Sequence, residues 1–270
     1  MSAIIAVGNQ KGGVGKTTST VSLAFRFASR EMRVLVVDLD SQGHVAESFG
    51  TATGDGLFKM LVQEKPITMT VVNVRQNLDI VSNNHTGEDV KAFAMRSDFR
   101  AYLLSQALTA ASAFYDLILL DMPPSSDVLH VSALVASDLL LIPAIMDHLA
   151  LTGVMTIWKT ARALTRYPNV TPPALAGVLP TMFERSTKET GENVKRLGEA
   201  LGRMDMVLPP IPRDTRVREA SAHGLTIWEY APGSPAAVGY VNTGSAVLNS
   251  EGKVGGYLHL AEILETVIGH

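Results

Sequence analysis

Apolar residues along this chain fall into short unbroken runs, separated by longer stretches in which apolar and polar positions alternate with helical spacing. The runs predict strands over Ala3–Val7, Arg33–Asp38, Leu78–Val81, Asp116–Asp121, Leu139–Pro143, Leu175–Pro180 and Met206–Pro209. Unbroken rather than alternating runs mean that both faces of each strand are buried, as in a parallel sheet covered by helices on both sides. The helical stretches are Lys16–Ser29, Ser97–Ala113, Leu149–Leu164, Thr187–Gly202 and Tyr257–Ile268. The fold expected is α/β, a mostly parallel twisted sheet flanked by helices, in one domain over residues 1–270. Residues 242–256, rich in Gly, Ser and Asn, read as a loop inserted before the last helix. The first, second and fourth runs lead into polar or glycine-rich turns, where an open α/β sheet carries its ligand site.

Composition narrows the chemistry. An apolar content of 46% over 270 residues is ample for one core. No cysteine is present, which excludes disulfides, thiolate zinc sites and cysteine-held iron–sulfur clusters. No run approaches ~18 apolar residues, so no membrane span is expected. The N-terminus enters a strand at once and leaves no room for a signal peptide, so a cytoplasmic protein is expected. A net charge of −3 gives no global reason for nucleic-acid binding, which would need a local patch.

The first turn reads Lys11-Gly12-Gly13-Val14-Gly15-Lys16-Thr17-Thr18 between a strand and a helix. Glycines there let successive backbone N–H groups converge on phosphate oxygens, and the helix N-terminus adds about half a positive charge. In such a loop Lys16 would reach the β- and γ-phosphates and the Thr17 hydroxyl would ligate Mg²⁺. The usual first glycine is replaced by Gln10, and a second lysine, Lys11, precedes the glycines. Two carboxylate sets stand at strand ends: Asp121 after an apolar run, and Asp38 with Asp40 at alternate positions. A carboxylate at the end of such a strand suits a metal bound mainly through water and phosphate oxygens.

The loop Lys11–Thr18 resembles the deviant phosphate loop of the ParA/MinD family of ATPases. The resemblance extends to Val37-Asp38-Leu39-Asp40-Ser41-Gln42-Gly43, similar to the family's first switch with Ser41 where a proline is common. It extends further to Leu119-Leu120-Asp121-Met122-Pro123-Pro124, similar to the second switch, and to Pro212-Arg213 with Arg216 and Glu219-Ala220. Four ordered motifs thus span most of the chain. The resemblance implies a slow MgATP hydrolase, with nucleotide held by Gly12, Gly13, Val14, Gly15, Lys16, Thr17 and Thr18, and the base near Pro212 and Arg213. It implies that Lys11 crosses a homodimer interface to the partner's nucleotide and that Asp40 orients the attacking water. Thr17 and Asp121 would hold Mg²⁺, with Asp38 supporting the metal's surroundings.

From Arg185 to Arg218 lie 8 of the chain's 23 basic residues, against five acids. By themselves these charges fit a phosphate-binding stripe or, more simply, a solvated helix face with ion pairs such as Glu192 with Arg196. The resemblance favours the stripe, with Arg185, Arg216 and Arg218 contacting double-stranded DNA without sequence preference. The function so implied is partition or positioning of a cargo on the nucleoid through a ParB-like or other adaptor that stimulates hydrolysis. A MinD-like membrane switch is the alternative. It would need a basic amphipathic C-terminal helix, whereas 257–268 carries Glu262 and Glu265, so stable membrane association is not expected. With the phosphate loop starting at residue 11, no operator-reading N-terminal domain and no operator-specific regulation are expected.

Overall fold

The computed structural model describes residues 2–184, 188–241 and 247–269. Seven strands form one sheet: β1 (Ala3–Val7), β2 (Val34–Asp38), β3 (Val72–Arg75), β4 (Leu78–Val81), β5 (Leu117–Asp121), β6 (Leu139–Ile145) and β7 (Ala174–Thr181). Their order is β3-β4-β2-β5-β1-β6-β7, and all pairs are parallel except the edge pair β3–β4. β1 sits between β5 and β6, so chain connections leave it on both sides and open a crevice at its carboxyl end.

Helices close both faces. On one side lie α1 (Lys16–Ala28), α2 (His44–Ser48), α9 (Arg216–Ala222), α10 (Ile227–Tyr230), α11 (Pro235–Val238) and α12 (Gly256–Ile268). The other side carries α3 (Gly56–Leu61), α4 (Gly87–Arg96), α5 (Leu103–Ala111), α6 (Val128–Ala136), α7 (Ala150–Arg162) and α8 (Lys188–Leu201). Strand residues alternate between the two cores. Ala6, Leu35, Val37, Ile118 and Leu120 face α5–α7, while Ile5, Val7, Val36, Leu117 and Leu119 face α1 and α12.

Two expectations are corrected, and two elements were not foreseen. The helix expected over Ser97–Ala113 is α5 alone, which starts only at Leu103; α4 precedes it and stops at Arg96, where the Ser97 backbone turns extended and its hydroxyl accepts from Phe99 N–H at 3.2 Å. The strand expected over Met206–Pro209 makes one bridge, Val207 to Val178, and ends there. Pro209 and Pro210 have no N–H to continue a ladder. The antiparallel edge strand β3 was not foreseen; Asn77 at φ 58° turns the chain back into β4. Helix α6 was missed for another reason: its sequence VLHVSALVA is apolar nearly all round, which leaves no helical stripe to detect.

The described part of the stretch before α12 is pinned rather than loose. Asn249 is buried, donates to Val238 C=O at 3.0 Å and accepts from Glu251 and Lys253 N–H. The last helix buries Tyr257, Leu258, Leu260, Ala261 and Leu264, and its Glu265 pairs with Arg30, just beyond α1, at 2.8 Å.

Candidate functional site

The loop after β1 wraps the N-terminus of α1. Gly15 caps this helix at φ 84° and Gly13 sits at φ 71°, left-handed conformations that would strain any residue with a side chain. β7 fixes the loop from beside it, since Thr181 Oγ1 donates to Val14 C=O at 2.8 Å. Among the described residues no side chain caps α1. Its first N–H groups therefore face the cleft as free donors, as an anion site requires.

Lys16 is buried, and its Nζ donates to the Lys11 carbonyl at 3.2 Å. Burial lowers its pKa, opposed by the nearby charges of Asp121 and Asp40. Thr17 Oγ1 donates to Asp121 Oδ2 at 2.7 Å, and Thr20 Oγ1 donates to Asp121 Oδ1 at 3.2 Å. Asp38 and Asp121 stand opposite each other at the ends of β2 and β5. Asp38 accepts from Asp40 N–H at 3.0 Å and Val45 N–H at 3.2 Å. Burial and the Asp121 carboxylate push Asp38 well above the usual carboxylate range. Burial likewise raises Asp121 to about 6, against the hydrogen bonds from Thr17 and Thr20 and the charge of Lys16. Two buried carboxylates side by side form a pocket of negative potential that a divalent cation would relieve.

The donor set fits magnesium. A threonine hydroxyl and an aspartate within 2.7 Å are hard oxygen ligands, with a second carboxylate adjacent. Among the described residues no group of three or more His, Cys, Asp or Glu side chains could hold a metal by itself. A cation here would take most of its ligands from phosphate and water.

Two adjoining cavities line the cleft. One, of about 450 Å³, is bordered by Gly12, Gly13, Gly15, Lys16, Thr17, Thr18, Asp40 and Pro124 among others. The other, of about 330 Å³, is lined by Gly15, Thr18, Pro212, Arg213, Val217, Arg218 and Tyr257 among others. They share Gly15, Thr18 and Met182, so a polar end and a more apolar end are continuous. The 212 segment is held beside β7 by Ile211 N–H to Pro180 C=O at 2.8 Å and Arg213 N–H to Phe183 C=O at 3.2 Å.

Lys11 lines neither cavity. Its Nζ is ion-paired with Asp147, just beyond β6, so the lysine has a partner within its own chain that the sequence did not reveal. The basic segment is also more neutralised than its composition suggests. Arg213 pairs with Glu184, Arg203 with Asp205, and Arg216 Nε donates to Asp214 at 2.8 Å. Arg218 is exposed on the rim of the smaller cavity, with no ion-pair partner among the described residues; Arg185 lies outside them. Thr20, Asp147, Thr181, Met182 and Tyr257 were not foreseen at the site. Only Thr20, one turn beyond Lys16 on α1, carried a signal that spacing could have exposed.

A strand, a glycine loop folded over a helix N-terminus, a buried lysine and a Thr–Asp pair at the next strand end define a P-loop nucleoside triphosphatase. A family model described as an AAA domain matches residues 2–171. The sporulation initiation inhibitor protein Soj of Bacillus subtilis is 33% identical over 254 residues, covering 92% of this chain and 98% of its own. The chromosome-partitioning ATPase Soj of Thermus thermophilus is 33% identical, covering 87% and 91%. A crystal structure of cobyrinic acid a,c-diamide synthase from Mycobacterium smegmatis, with bound ATP analog and magnesium, is 28% identical at a TM-score of 0.72, covering 83% and 92%. The chain belongs to the ParA/Soj family of partition ATPases.

Proposed function

We propose that this protein is a MgATP-driven switch that dimerises around two nucleotides, binds duplex DNA without sequence preference, and positions a cargo through a ParB-like or other adaptor. The observation that carries this reading is the position of Lys11. A second lysine in a phosphate loop that lies outside the lining of its own phosphate cavity, held there only by the part-exposed Asp147 carboxylate, would leave that pair to reach a nucleotide on a facing subunit.

In this reading the triphosphate lies across the α1 N-terminus, with Gly12, Gly13, Val14, Gly15, Thr17 and Thr18 donating backbone N–H groups. Lys16 neutralises the terminal phosphates, and the adenine lies in the smaller cavity against Pro212 and Arg213. Thr17 and Asp121 hold Mg²⁺, with Asp38 behind them, and the ion when bound neutralises phosphate charge. Asp40, half-buried at the edge of the larger cavity, accepts a hydrogen bond from water and orients it toward the terminal phosphorus. Hydrolysis then breaks the β–γ bridge and leaves ADP and phosphate. Such chemistry depends on position and charge neutralisation more than on a covalent intermediate.

DNA contact is assigned to Arg216 and Arg218 on the cleft rim, together with Arg185, which lies outside the described residues. The buried apolar face of α12 and its engaged Glu265 weigh against the membrane-switch alternative. Light scattering with a nonhydrolysable ATP analogue tests the core of the proposal. The wild type is expected to double in mass and Lys11→Gln to stay monomeric while still binding nucleotide. An undiminished ATP-dependent dimer in Lys11→Gln removes the trans role. Gel shift on unrelated duplexes, paired with liposome flotation, separates DNA binding from membrane binding.

A further inference from the structure

The loop after β2 (residues 39–43) and the loop after β5 (residues 122–127) leave adjacent strands and diverge on either side of the phosphate cavity. Helix α4 lies between them on the outer side, and its polar side chains join the two. Ser41 Oγ donates to Glu88 Oε1 at 3.1 Å, and Lys91 Nζ donates to the same oxygen at 2.9 Å. The Lys91 ammonium is also 3.4 Å from Asp127 Oδ2, which accepts from Ser125 Oγ at 2.8 Å. The other oxygen, Asp127 Oδ1, caps α6 by accepting from Leu129 N–H at 3.0 Å and His130 N–H at 3.2 Å. A continuous chain of polar contacts thus runs from the first switch loop to the second, and Lys91 is its centre.

Two further observations make this a built contact. Gly87, at the start of α4, has no room for a side chain: a Cβ there would come within 2.9 Å of Ser41 Cβ and of the Asn83 amide. The helix start is therefore pressed onto the first loop. The Lys91 side chain is only 20% exposed although it lies at the surface of a helix, so its ammonium is confined between the two carboxylates. Burial alone would lower its pKa, but Glu88 and Asp127 more than offset this and raise it. Ser41 occupies the position where the resembled family commonly has proline, which has no hydroxyl to donate. The link at this end is thus a feature of this chain's own residues.

We propose that Lys91 is a positioning residue: with Glu88 and Asp127 it makes α4 a crossbar that couples the two switch loops, so that Asp40 and the start of α6 move together. The consequence for hydrolysis rests on the function proposed above. The coupling itself does not, because its contacts lie wholly within the protein chain. When the cleft fills, a shift of either loop must be passed on through Glu88–Lys91–Asp127 or break that chain. Lys91 touches neither cavity, so its loss acts on loop geometry and not on nucleotide contacts.

Amide hydrogen exchange on the nucleotide-free protein tests the coupling. Lys91→Met is expected to speed exchange about threefold to tenfold in peptides covering 39–43 and 122–131, the range that follows from losing one charged hydrogen bond. Lys91→Arg is expected to restore protection. Ser41→Ala, a small change at one loop, is expected to speed exchange in 124–131 at the other. It serves as the second variant if Lys91→Met does not fold. In steady-state hydrolysis Lys91→Met is expected to lower kcat about tenfold with KM within about twofold, and Lys91→Arg to recover most of the loss. Exchange in Lys91→Met or Ser41→Ala that rises only within the mutated element overturns the crossbar. So does a lowered Tm with kcat unchanged, which is the signature of a purely structural lysine. Absence of any ATPase in the wild type would overturn the proposed function, while the exchange result would still decide the coupling.

Discussion

At the phosphate end of the cleft three contacts join residues far apart in sequence, whereas at the base end Arg216 is held by a close neighbour. Thr17 meets Asp121, Val14 meets Thr181, and Lys11 meets Asp147, all across separations of more than a hundred residues. On the rim, Arg216 pairs with Asp214, two residues away, and Arg213 reaches back to Glu184. The first kind of contact forms only when the sheet forms, so it fixes geometry. The second survives rearrangement and, with the arginine in water, holds it only weakly. One end of the cleft is thus suited to chemistry, which needs preorganised groups. The other is suited to a polyanion, which can displace weak surface pairs by offering phosphates instead.

The most damaging test of this contrast is Asp40→Ala. In the proposed mechanism this residue orients water and does not bind phosphate. Hydrolysis is therefore expected to fall by ~10²–10⁴-fold while ATP binding and ATP-induced dimerisation persist. A phosphate-release assay beside light scattering reads both. Turnover that is unchanged, with or without adaptor, would remove Asp40 from the mechanism. A loss of nucleotide binding would mean that the phosphate end depends on it for affinity.

The buried carboxylates offer a second test, through pH. The folded pKa of Asp121 is raised to about 6, above the ordinary carboxylate value, so folding favours its protonated form. Its stabilising contribution is complete below the unfolded pKa and is lost as pH rises through about 6. A shift of this size costs ~2–3 kcal/mol at neutral pH. Asp38, raised in the same direction by burial and by Asp121, adds a further loss at higher pH. Asp121→Asn is therefore expected to melt higher than the wild type at pH 7.5 without nucleotide and to show a flatter fall in Tm between pH 4 and 7. It should gain no stability from MgATP. A mutant less stable than the wild type at pH 7.5 would show that the Thr17 and Thr20 hydrogen bonds outweigh the cost of the buried charge.

How much of this was legible follows the same division. The parallel core, the phosphate loop and Asp38, Asp40 and Asp121 were readable because each is a short contiguous signal: an apolar run, a glycine cluster, or a carboxylate at a strand end. The Lys11–Asp147 pair and the Ser41–Glu88–Lys91–Asp127 chain were not, because their members are separated in sequence and meet only through the strand order. α4 was hidden by its own start, where Thr86-Gly87 reads as a turn although Glu88 and Asp89 favour a helix N-terminus. On the rim, composition overstated the available charge, since a count of bases against acids does not show which of them meet.

The smallest expected effect concerns that rim. Arg216→Glu and Arg218→Glu are each expected to weaken duplex binding by the ATP-bound dimer, equally for unrelated sequences, and to reduce the salt slope by about one unit per lost phosphate contact. The two should differ in a way the structure anticipates. Arg216 is already tied to Asp214, so its contact with DNA must compete with that pair, and the Asp214 carboxylate, almost fully buried, cannot turn to water. Arg218 has no such competitor among the described residues and should contribute the larger share of affinity. It also borders the smaller cavity, so Arg218→Glu is expected to raise the KM for ATP slightly, which Arg216→Glu is not. Salt-dependent gel shifts and steady-state KM values for the two variants read the difference. Equal losses in binding with unchanged KM would show that the rim acts as a diffuse charge, with no distinction between its paired and unpaired arginines.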